Sequence, residues 1–270
     1  MALAHICLQS PKSQRKNRLL NILAIIPARM GSSRFPGKPM ARILGKPMIG
    51  HVFERVSKST QLTTSAVATC DKEIFDYIES IGGTAVMTSD RHERASDRCA
   101  EALVKIEKMN KTKYDIVVLV QGDEPMTHPD MIDEAVAPML RNSKIQVTNL
   151  LGKIDTIEKF EDRNCIKVVC DLVGNAIYFS RQSIPFQASL SGNIVGKQIC
   201  IIPFQRNFLL EYARMAPTPL EIAESVDMLR ILEHGHKVRM VPTNYQVQSV
   251  DTAEDLRLVE ALLQKSPSGT

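Results

Sequence analysis

The chain has 270 residues, of which 44% are hydrophobic and 24% are charged, as expected for a globular protein with a sizeable core. No apolar run approaches the roughly 18 to 20 residues that span a bilayer, so we expect no membrane insertion. The net charge of +4 is accounted for by residues 1–20, which carry four basic residues and no acidic one. Residues 21–270 are therefore neutral, and we expect no nucleic-acid partner.

Residues 1–20 are predicted to be a basic, disordered extension, and residues 21–270 a single domain. The extension lacks the long apolar core and cleavage site of a secretory signal, whereas an organelle-targeting segment stays open. The six cysteines include no CxxC pair, and most lie in apolar segments. This pattern is typical of reduced thiols in the cytoplasm, and less so of disulfides or a zinc site.

In the first half of the chain, apolar runs of strand length alternate with helical periods. The pattern predicts strands at 23–26, 66–69, 85–88 and 116–120, and helices at 48–56, 73–81, 97–109 and 129–140. In the second helix Ile74, Tyr77, Ile78 and Ile81 should face inward, and in the third Cys99, Leu103 and Ile106. This alternation predicts an α/β fold with a mainly parallel sheet flanked by helices.

The second half predicts an antiparallel arm. A hairpin is expected at 165–170 and 176–180, and a mobile loop at 187–196. Thr218, Pro219 and Glu221 form a strong helix-start signal, which predicts one helix to about residue 234. A strand at 238–241 and a helix at 252–263 complete the chain.

A loop rich in glycine and cations directly follows the first strand: Ile26-Pro-Ala-Arg-Met-Gly-Ser-Ser-Arg-Phe-Pro-Gly-Lys38. Fixed cations, hydroxyls and glycine backbone N–H groups suit the phosphates of a nucleoside triphosphate. The loop is not a Walker A motif, because Pro39 stands where that motif has Ser or Thr. A basic surface loop would have the same composition, so the residues alone leave both interpretations open.

The loop resembles the phosphate-binding signature of sugar nucleotidyltransferases, and in detail that of the 3-deoxy-manno-octulosonate (Kdo) cytidylyltransferases. The matching segments are Ile-Pro-Ala-Arg, Ser-x-Arg and Pro-Gly-Lys-Pro, followed by a second Gly-Lys-Pro at 45–47. The resemblance implies a Rossmann-like nucleotidyltransferase sheet and CTP as substrate. It implies nucleotide binding by Ala28, Arg29, Gly31, Ser32, Ser33, Arg34, Lys38 and Gln121, with Arg29, Lys38 and Asp123 as catalytic residues.

Two aspartates are candidate magnesium ligands. Asp123 follows a buried strand, where ligands of α/β sheets bind, although Gly122-Asp123 also suits a simple turn. Asp251 precedes the last helix and could equally be its cap. Both lie in segments that resemble the family's metal-binding motifs, Val-Gln-Gly-Asp-Glu-Pro and Val-Asp-Thr-x-Glu-Asp-Leu. The resemblance therefore implies Mg²⁺ on Asp123 and Asp251.

The resemblance loosens where the family binds its sugar. It implies sugar binding by Arg98, Gln121, Gln198 and Glu224. Ala95-Ser-Asp-Arg98 replaces the family's Gly-Thr-Glu-Arg, and Gln198-Ile-Cys-Ile-Ile202 replaces His-Leu-Gly-Ile-Tyr. A histidine and a tyrosine are thus absent, which favours a related acid as acceptor, for example an amino-octulosonate.

The function implied is magnesium-dependent transfer of CMP from CTP to an acidic 2-keto-3-deoxy sugar, Kdo or a close relative, with release of pyrophosphate, by a cytoplasmic homodimer. Three alternatives stay open. The acceptor could be another anion. The chain could be a glycosyltransferase, although Gln121-Gly-Asp123 lacks the first residue of an Asp-x-Asp motif. Loss of the acceptor pocket could also have left a non-catalytic nucleotide-binding paralogue.

Overall fold

A computed structural model describes residues 19–31, 34–186 and 195–265. Of the predicted extension only Leu19 and Leu20 are described, and both are exposed. The backbone N–H of Asn21 donates to the Asp115 carboxylate at 2.9 Å. Hydrogen bonding to the rest of the fold is therefore present at Asn21, the first residue after the predicted extension.

The described residues form twelve strands and nine helices. The strands are β1 (Ile22–Ala28), β2 (Arg42–Ile43), β3 (Lys46–Pro47), β4 (Thr64–Thr69), β5 (Ala85–Met87), β6 (Ile116–Val120), β7 (Thr148–Lys153), β8 (Lys167–Cys170), β9 (Ala176–Ser180), β10 (Val195–Ile199), β11 (Ile201–Gln205) and β12 (Arg239–Pro242). The helices are α1 (Met48–Val56), α2 (Lys72–Ser80), α3 (Ala95–Asn110), α4 (Pro129–Arg141), α5 (Ile157–Glu161), α6 (Arg206–Tyr212), α7 (Pro219–Glu224), α8 (Met228–Glu233) and α9 (Ala253–Lys265). None of these helices is long and apolar enough to cross a bilayer.

The first sheet has the order β11-β6-β1-β4-β5, in which β6, β1, β4 and β5 are parallel and β11 is antiparallel to β6. Every residue of β6 is buried, because helices cover both faces. Alternate residues of β1 enter two cores, one with α1, α2 and α4 and the other with α3 and α6. The predicted mainly parallel α/β fold is confirmed.

The predicted antiparallel arm is a complete second sheet, with the order β12-β7-β10-β8-β9. Its pairs are antiparallel except for β12 and β7, which run parallel. Only Cys200 separates β10 in this sheet from β11 in the first. The Gln121 N–H donates to the Cys200 carbonyl at 3.1 Å, so the carboxyl end of β6 lies beside the junction of the two sheets.

Three local predictions were wrong. The single helix expected to reach residue 234 divides into α7 and α8 at Ser225, which adopts a left-handed conformation with φ of 51°. The loop predicted at 187–196 gives its last two residues to β10, and residues 187–194 lie outside the described residues. Ile81 is 38% exposed rather than inward, because α2 ends at Ser80 and the chain turns at Gly82.

Candidate active site

A cavity of about 570 Å³ lies where the carboxyl ends of β1 and β6 meet β10, the start of α3 and the segment before α9. Ten of the predicted site residues line it: Ala28, Arg29, Gly31, Arg34, Lys38, Arg98, Gln121, Asp123, Gln198 and Asp251. Ser32 and Ser33 lie outside the described residues. Glu224 is not among the lining residues. The fold thus gathers residues from across the chain into one cavity.

Cationic side chains outnumber carboxylates around this cavity. The cations are Arg29, Arg34, Lys38, Arg94, Arg98, Lys159, Arg181 and Lys197. The carboxylates are Glu93, Asp123, Glu124, Asp162, Asp227 and Asp251. The surplus of positive charge favours a polyanionic ligand such as a nucleoside triphosphate.

Hydrogen bonds fix the described residues on both sides of Ser32 and Ser33 in the loop after β1. Gly37 adopts a left-handed conformation with φ of 74°, which favours glycine, and its N–H closes the loop on the Met30 carbonyl at 3.0 Å. The Met30 N–H in turn donates to the Asp71 carboxylate at 2.8 Å. These bonds place Lys38 at the start of a 3-10 turn, Lys38–Met40, with its side chain directed to the end of β6.

Asp123 and Asp251 converge on the ammonium of Lys38. Lys38 Nζ lies 2.8 Å from Asp123 Oδ2, 3.3 Å from Asp251 Oδ1 and 2.7 Å from the Val250 carbonyl oxygen. We call these three oxygens the Lys38 cage. The distance between Asp123 Oδ2 and Asp251 Oδ1 therefore cannot exceed the sum of their two distances to Nζ. Arg34 Nη2 also contacts Asp251 Oδ1, at 2.9 Å.

The cap of α9 does not use the Asp251 side chain. The Asp255 carboxylate accepts the N–H groups of Asp251 and Thr252, at 3.0 and 2.8 Å. The Thr252 hydroxyl accepts the Asp255 N–H at 3.2 Å, which completes a reciprocal cap. The Asp251 side chain is therefore turned to the Lys38 cage.

Glu124 lies beside the cage but is sequestered. The residue is buried, and its Oε2 has no hydrogen-bond partner among the described residues. Burial, and then the charge of Asp123, raise the pKa of Glu124 to about 7. This carboxyl is thus much less acidic than an exposed glutamate.

At the other end of the cavity Arg98 keeps a free donor. The residue is 2% exposed, and its Nη1 donates to the Thr88 hydroxyl at 2.5 Å. Its Nη2 has no hydrogen-bond partner within the described part of the chain. A buried donor without a partner is costly, so an anionic ligand group at this position would be bound favourably.

Gln198 and Glu224 are both engaged within the protein. Gln198 Nε2 donates to Asn149 Oδ1 at 2.7 Å, which uses one of the two N–H donors of this amide. Glu224 accepts the Ser180 hydroxyl and the Arg181 N–H, both at 2.8 Å. The Arg181 Nε donates to the Glu224 carbonyl at 2.7 Å, so Glu224 holds a cation that does line the cavity.

Sequence reasoning missed the pair formed by His92 and Glu101. The His92 ring bonds the Glu101 carboxylate, and the His92 carbonyl accepts Arg29 Nη1 at 3.5 Å. Burial opposes ionisation of Glu101, but hydrogen bonds from Lys105, the Ser89 N–H and His92 lower its pKa to about 2. The ionised Glu101 therefore fixes the loop that supports Arg29.

A second missed pair lies at the start of α3. Arg94 Nη1 lies 3.2 Å from Asp227 Oδ1, and the Ser96 hydroxyl donates to Asp227 Oδ2 at 3.2 Å. The charged run at residues 90–94, just before a helix, was the one signal in the sequence that could have pointed to these residues.

Comparisons with known proteins agree with this geometry. The family model described as cytidylyltransferase matches residues 23–238. The 3-deoxy-manno-octulosonate cytidylyltransferase of Geobacter metallireducens is 42% identical over 90% of this chain and 98% of its own length. The chain belongs to this family. It is therefore a CTP-dependent nucleotidyltransferase.

Two solved structures share the fold. A CMP:2-keto-3-deoxy-manno-octonic acid synthetase complexed with CTP is 33% identical, with a TM-score of 0.83, and the match covers 91% of this chain and 99% of that one. A 4-diphosphocytidyl-2C-methyl-D-erythritol synthase from Anaerococcus prevotii is 16% identical, with a TM-score of 0.62 and coverage of 91% and 96%. The second likeness concerns the fold alone.

Proposed function

We propose that the chain transfers CMP from CTP to 3-deoxy-manno-octulosonate, or to a close 2-keto-3-deoxy relative, and releases pyrophosphate. The convergence of Asp123, Asp251 and Lys38 at the end of the nucleotide loop carries this proposal. The names of the relatives, which specify that acceptor, support it.

The reaction is an in-line displacement. The anomeric hydroxyl oxygen of the acceptor bonds to the α-phosphorus of CTP, the bond from that phosphorus to the bridging oxygen breaks, and the hydroxyl proton is lost. Such chemistry asks the protein for positioning and for stabilisation of charge. Arg29 and Lys38 stabilise the phosphates. Ala28, Gly31, Ser32, Ser33, Arg34 and Gln121 complete the proposed nucleotide site.

The Lys38 cage fits a magnesium ion. Its two carboxylate oxygens and one carbonyl are the hard donors that magnesium takes in proteins, with phosphates and waters completing the shell. The ammonium of Lys38 already stands among these oxygens as a cation. When bound there, magnesium would lower the pKa of the acceptor hydroxyl and stabilise negative charge on the phosphates. Asp123 and Asp251 are its proposed ligands.

The acceptor lies at the Arg98 end of the cavity in this proposal. The free Nη2 of Arg98 suits the sugar carboxylate, and the carbonyl oxygen of Gln198 accepts a sugar hydroxyl or amine. Gln121 lies between the two ends, and Glu224 contributes through Arg181. Because Gln198 and Ile202 replace a histidine and a tyrosine, an amino-octulosonate is a second candidate acceptor.

The cellular setting stays a proposal. The five described cysteines are all unpaired, which supports a reducing compartment such as the cytoplasm. A homodimer is proposed from the family resemblance.

The proposal is tested by pyrophosphate release from CTP with magnesium and a panel of acceptors: Kdo, an amino-octulosonate and a neutral sugar. We expect release with at least one of the acids and none with the neutral sugar. ATP in place of CTP is the nucleotide control. Binding of CTP without release for any acid would favour the non-catalytic paralogue. Consumption of a finished nucleotide-sugar without pyrophosphate would favour the glycosyltransferase.

A further inference from the structure

The ammonium of Lys38 is fully engaged inside its cage. An ammonium has three N–H donors, and three oxygens lie within 3.3 Å of Nζ: one each from Asp123, Val250 and Asp251. The side chain is only 12% exposed. In this state Lys38 has no donor left for a phosphate.

The cage cannot hold this ammonium and a divalent cation together. Magnesium–oxygen bonds are about 2.1 Å long, so an ion bound to the same oxygens would overlap the present position of Nζ. Two cations this close also repel strongly where water is scarce. Entry of a metal ion therefore requires the Lys38 side chain to leave.

If the Lys38 side chain left the cage, the Asp251 carboxylate would still be paired with Arg34. Arg34 Nη2 contacts the same Oδ1 at 2.9 Å, but the Arg34 side chain is 55% exposed and lies outside the cage. Asp123 has no such second cation in the described part of the chain, where its ion pair is with Lys38 alone. Lys38 is thus the cation that neutralises the carboxylate pair from within.

We infer that Lys38 is the resident cation of the metal cage, and that a divalent ion enters it in company with the triphosphate rather than alone. A free metal ion displaces the ammonium from two carboxylates and brings no anion to replace them. A metal–triphosphate complex brings phosphate oxygens, to which the displaced ammonium can donate hydrogen bonds. Metal and nucleotide binding are then coupled through one side chain, and thermodynamic linkage makes the coupling reciprocal. This inference rests on the proposed function only in placing the metal at Asp123 and Asp251.

The test is the affinity for Mn²⁺ without nucleotide, read from the free-ion signal in electron paramagnetic resonance. Mn²⁺ prefers the same oxygen ligands as magnesium. The full chain is compared with Lys38→Met, which removes the charge and keeps the length, and with Lys38→Arg, which keeps the charge. We expect Lys38→Met to bind Mn²⁺ about tenfold more tightly or better, a usual size for coupling between sites. Lys38→Arg should gain little.

Two further variants locate the effect. Lys38→Met combined with Asp123→Asn should lose the gained affinity, because one carboxylate of the cage becomes a neutral amide. Arg34→Met should gain less than Lys38→Met, since Lys38 still fills the cage. In the wild-type chain CTP should tighten Mn²⁺ binding by a larger factor than in Lys38→Met.

Equal Mn²⁺ affinity of wild-type and folded Lys38→Met would overturn the inference. Circular dichroism at the temperature of the binding measurement establishes folding. If Lys38→Met does not fold, Lys38→Gln takes its place. This readout needs no turnover, so it is distinct from the proposed reaction. A gain in Mn²⁺ affinity in Lys38→Met, together with no pyrophosphate release by the wild type for any acceptor, would support the cage and reject the proposed reaction.

Discussion

Glu107 of α3 joins two parts of the scaffold that carries the site. Its side chain is 4% exposed, and its two oxygens accept Arg206 Nε and Nη2 at 2.6 and 2.7 Å. Lys113 Nζ, at 2.8 Å, and the Tyr114 N–H, at 3.2 Å, complete its partners. Burial opposes ionisation, but the hydrogen bonds from Arg206 and Lys113 lower the pKa of Glu107 to about 2. The ionised carboxylate is therefore stabilised by folding.

Glu107→Gln should destabilise the protein at neutral pH. A fall from the ordinary pKa of 4.5 to about 2 corresponds to on the order of 3 kcal/mol of unfolding free energy. In a chain of this size 1 kcal/mol moves the Tm by about 2–4 °C, so we expect a loss of about 6–12 °C at pH 7. Because the pKa is lower in the folded state, the contribution is complete above about pH 4.5 and is lost as the pH falls toward 2.

Thermal unfolding by circular dichroism at pH 7, 4.5 and 3 measures this effect. The matched control is Asp155→Asn, which breaks the exposed pair with Lys159 and should change the stability by less than about 1 kcal/mol. A Glu107→Gln variant that melts within about 2 °C of the wild type at pH 7 would refute the reasoning. A Tm difference that stays constant down to pH 3 would contradict the assignment to ionised Glu107.

Three further predictions concern the site and the extension. Arg29→Ala and Lys38→Ala should each lower kcat by about 10²-fold or more with little change in the circular dichroism spectrum, and near-wild-type turnover in both would contradict their role at the phosphates. Deletion of residues 1–20 should leave kcat and Tm unchanged, because described packing begins at Asn21; a large fall in either would mean that the extension docks on the body. Gln198→His with Ile202→Tyr should raise the preference for Kdo in relative kcat/KM by about tenfold, since a hydrogen bond is worth about 0.5–1.5 kcal/mol. An unchanged preference would place specificity elsewhere, for example in residues 187–196.

The first sheet could be predicted because its signal is local. β6 is continuously apolar, and Cys99, Leu103 and Ile106 of α3 are buried as their spacing indicated. The break in the helix expected to reach residue 234 could not be predicted from the local sequence. Thr218 and Pro219 do start a helix, but the turn at Ser225 is fixed by distant partners, such as Arg181, which bonds the Glu224 carbonyl. Periodicity does not report such contacts.

The identity of most site residues could be predicted from the sequence, but the contacts between them could not. The resemblance named both aspartates, but nothing local connects Lys38 to Asp123, 85 positions away, or to Asp251, 213 positions away. The competing cap interpretation of Asp251 was resolved only by the bonds between Thr252 and Asp255. The support of Arg29 by His92 and Glu101 carries no motif, since it depends on where a loop and a helix meet.

The most direct test of CMP transfer at the Lys38 cage is pyrophosphate release from CTP and Kdo with magnesium, by the wild type, Asp123→Asn and Asp251→Asn. Asp76→Asn, which alters an exposed ion pair on α2, is the control. We expect one pyrophosphate for each CMP-sugar formed by the wild type and the control, and a loss of about 10²- to 10³-fold in both cage variants with the Tm nearly unchanged. Near-wild-type release by either folded cage variant would contradict the account.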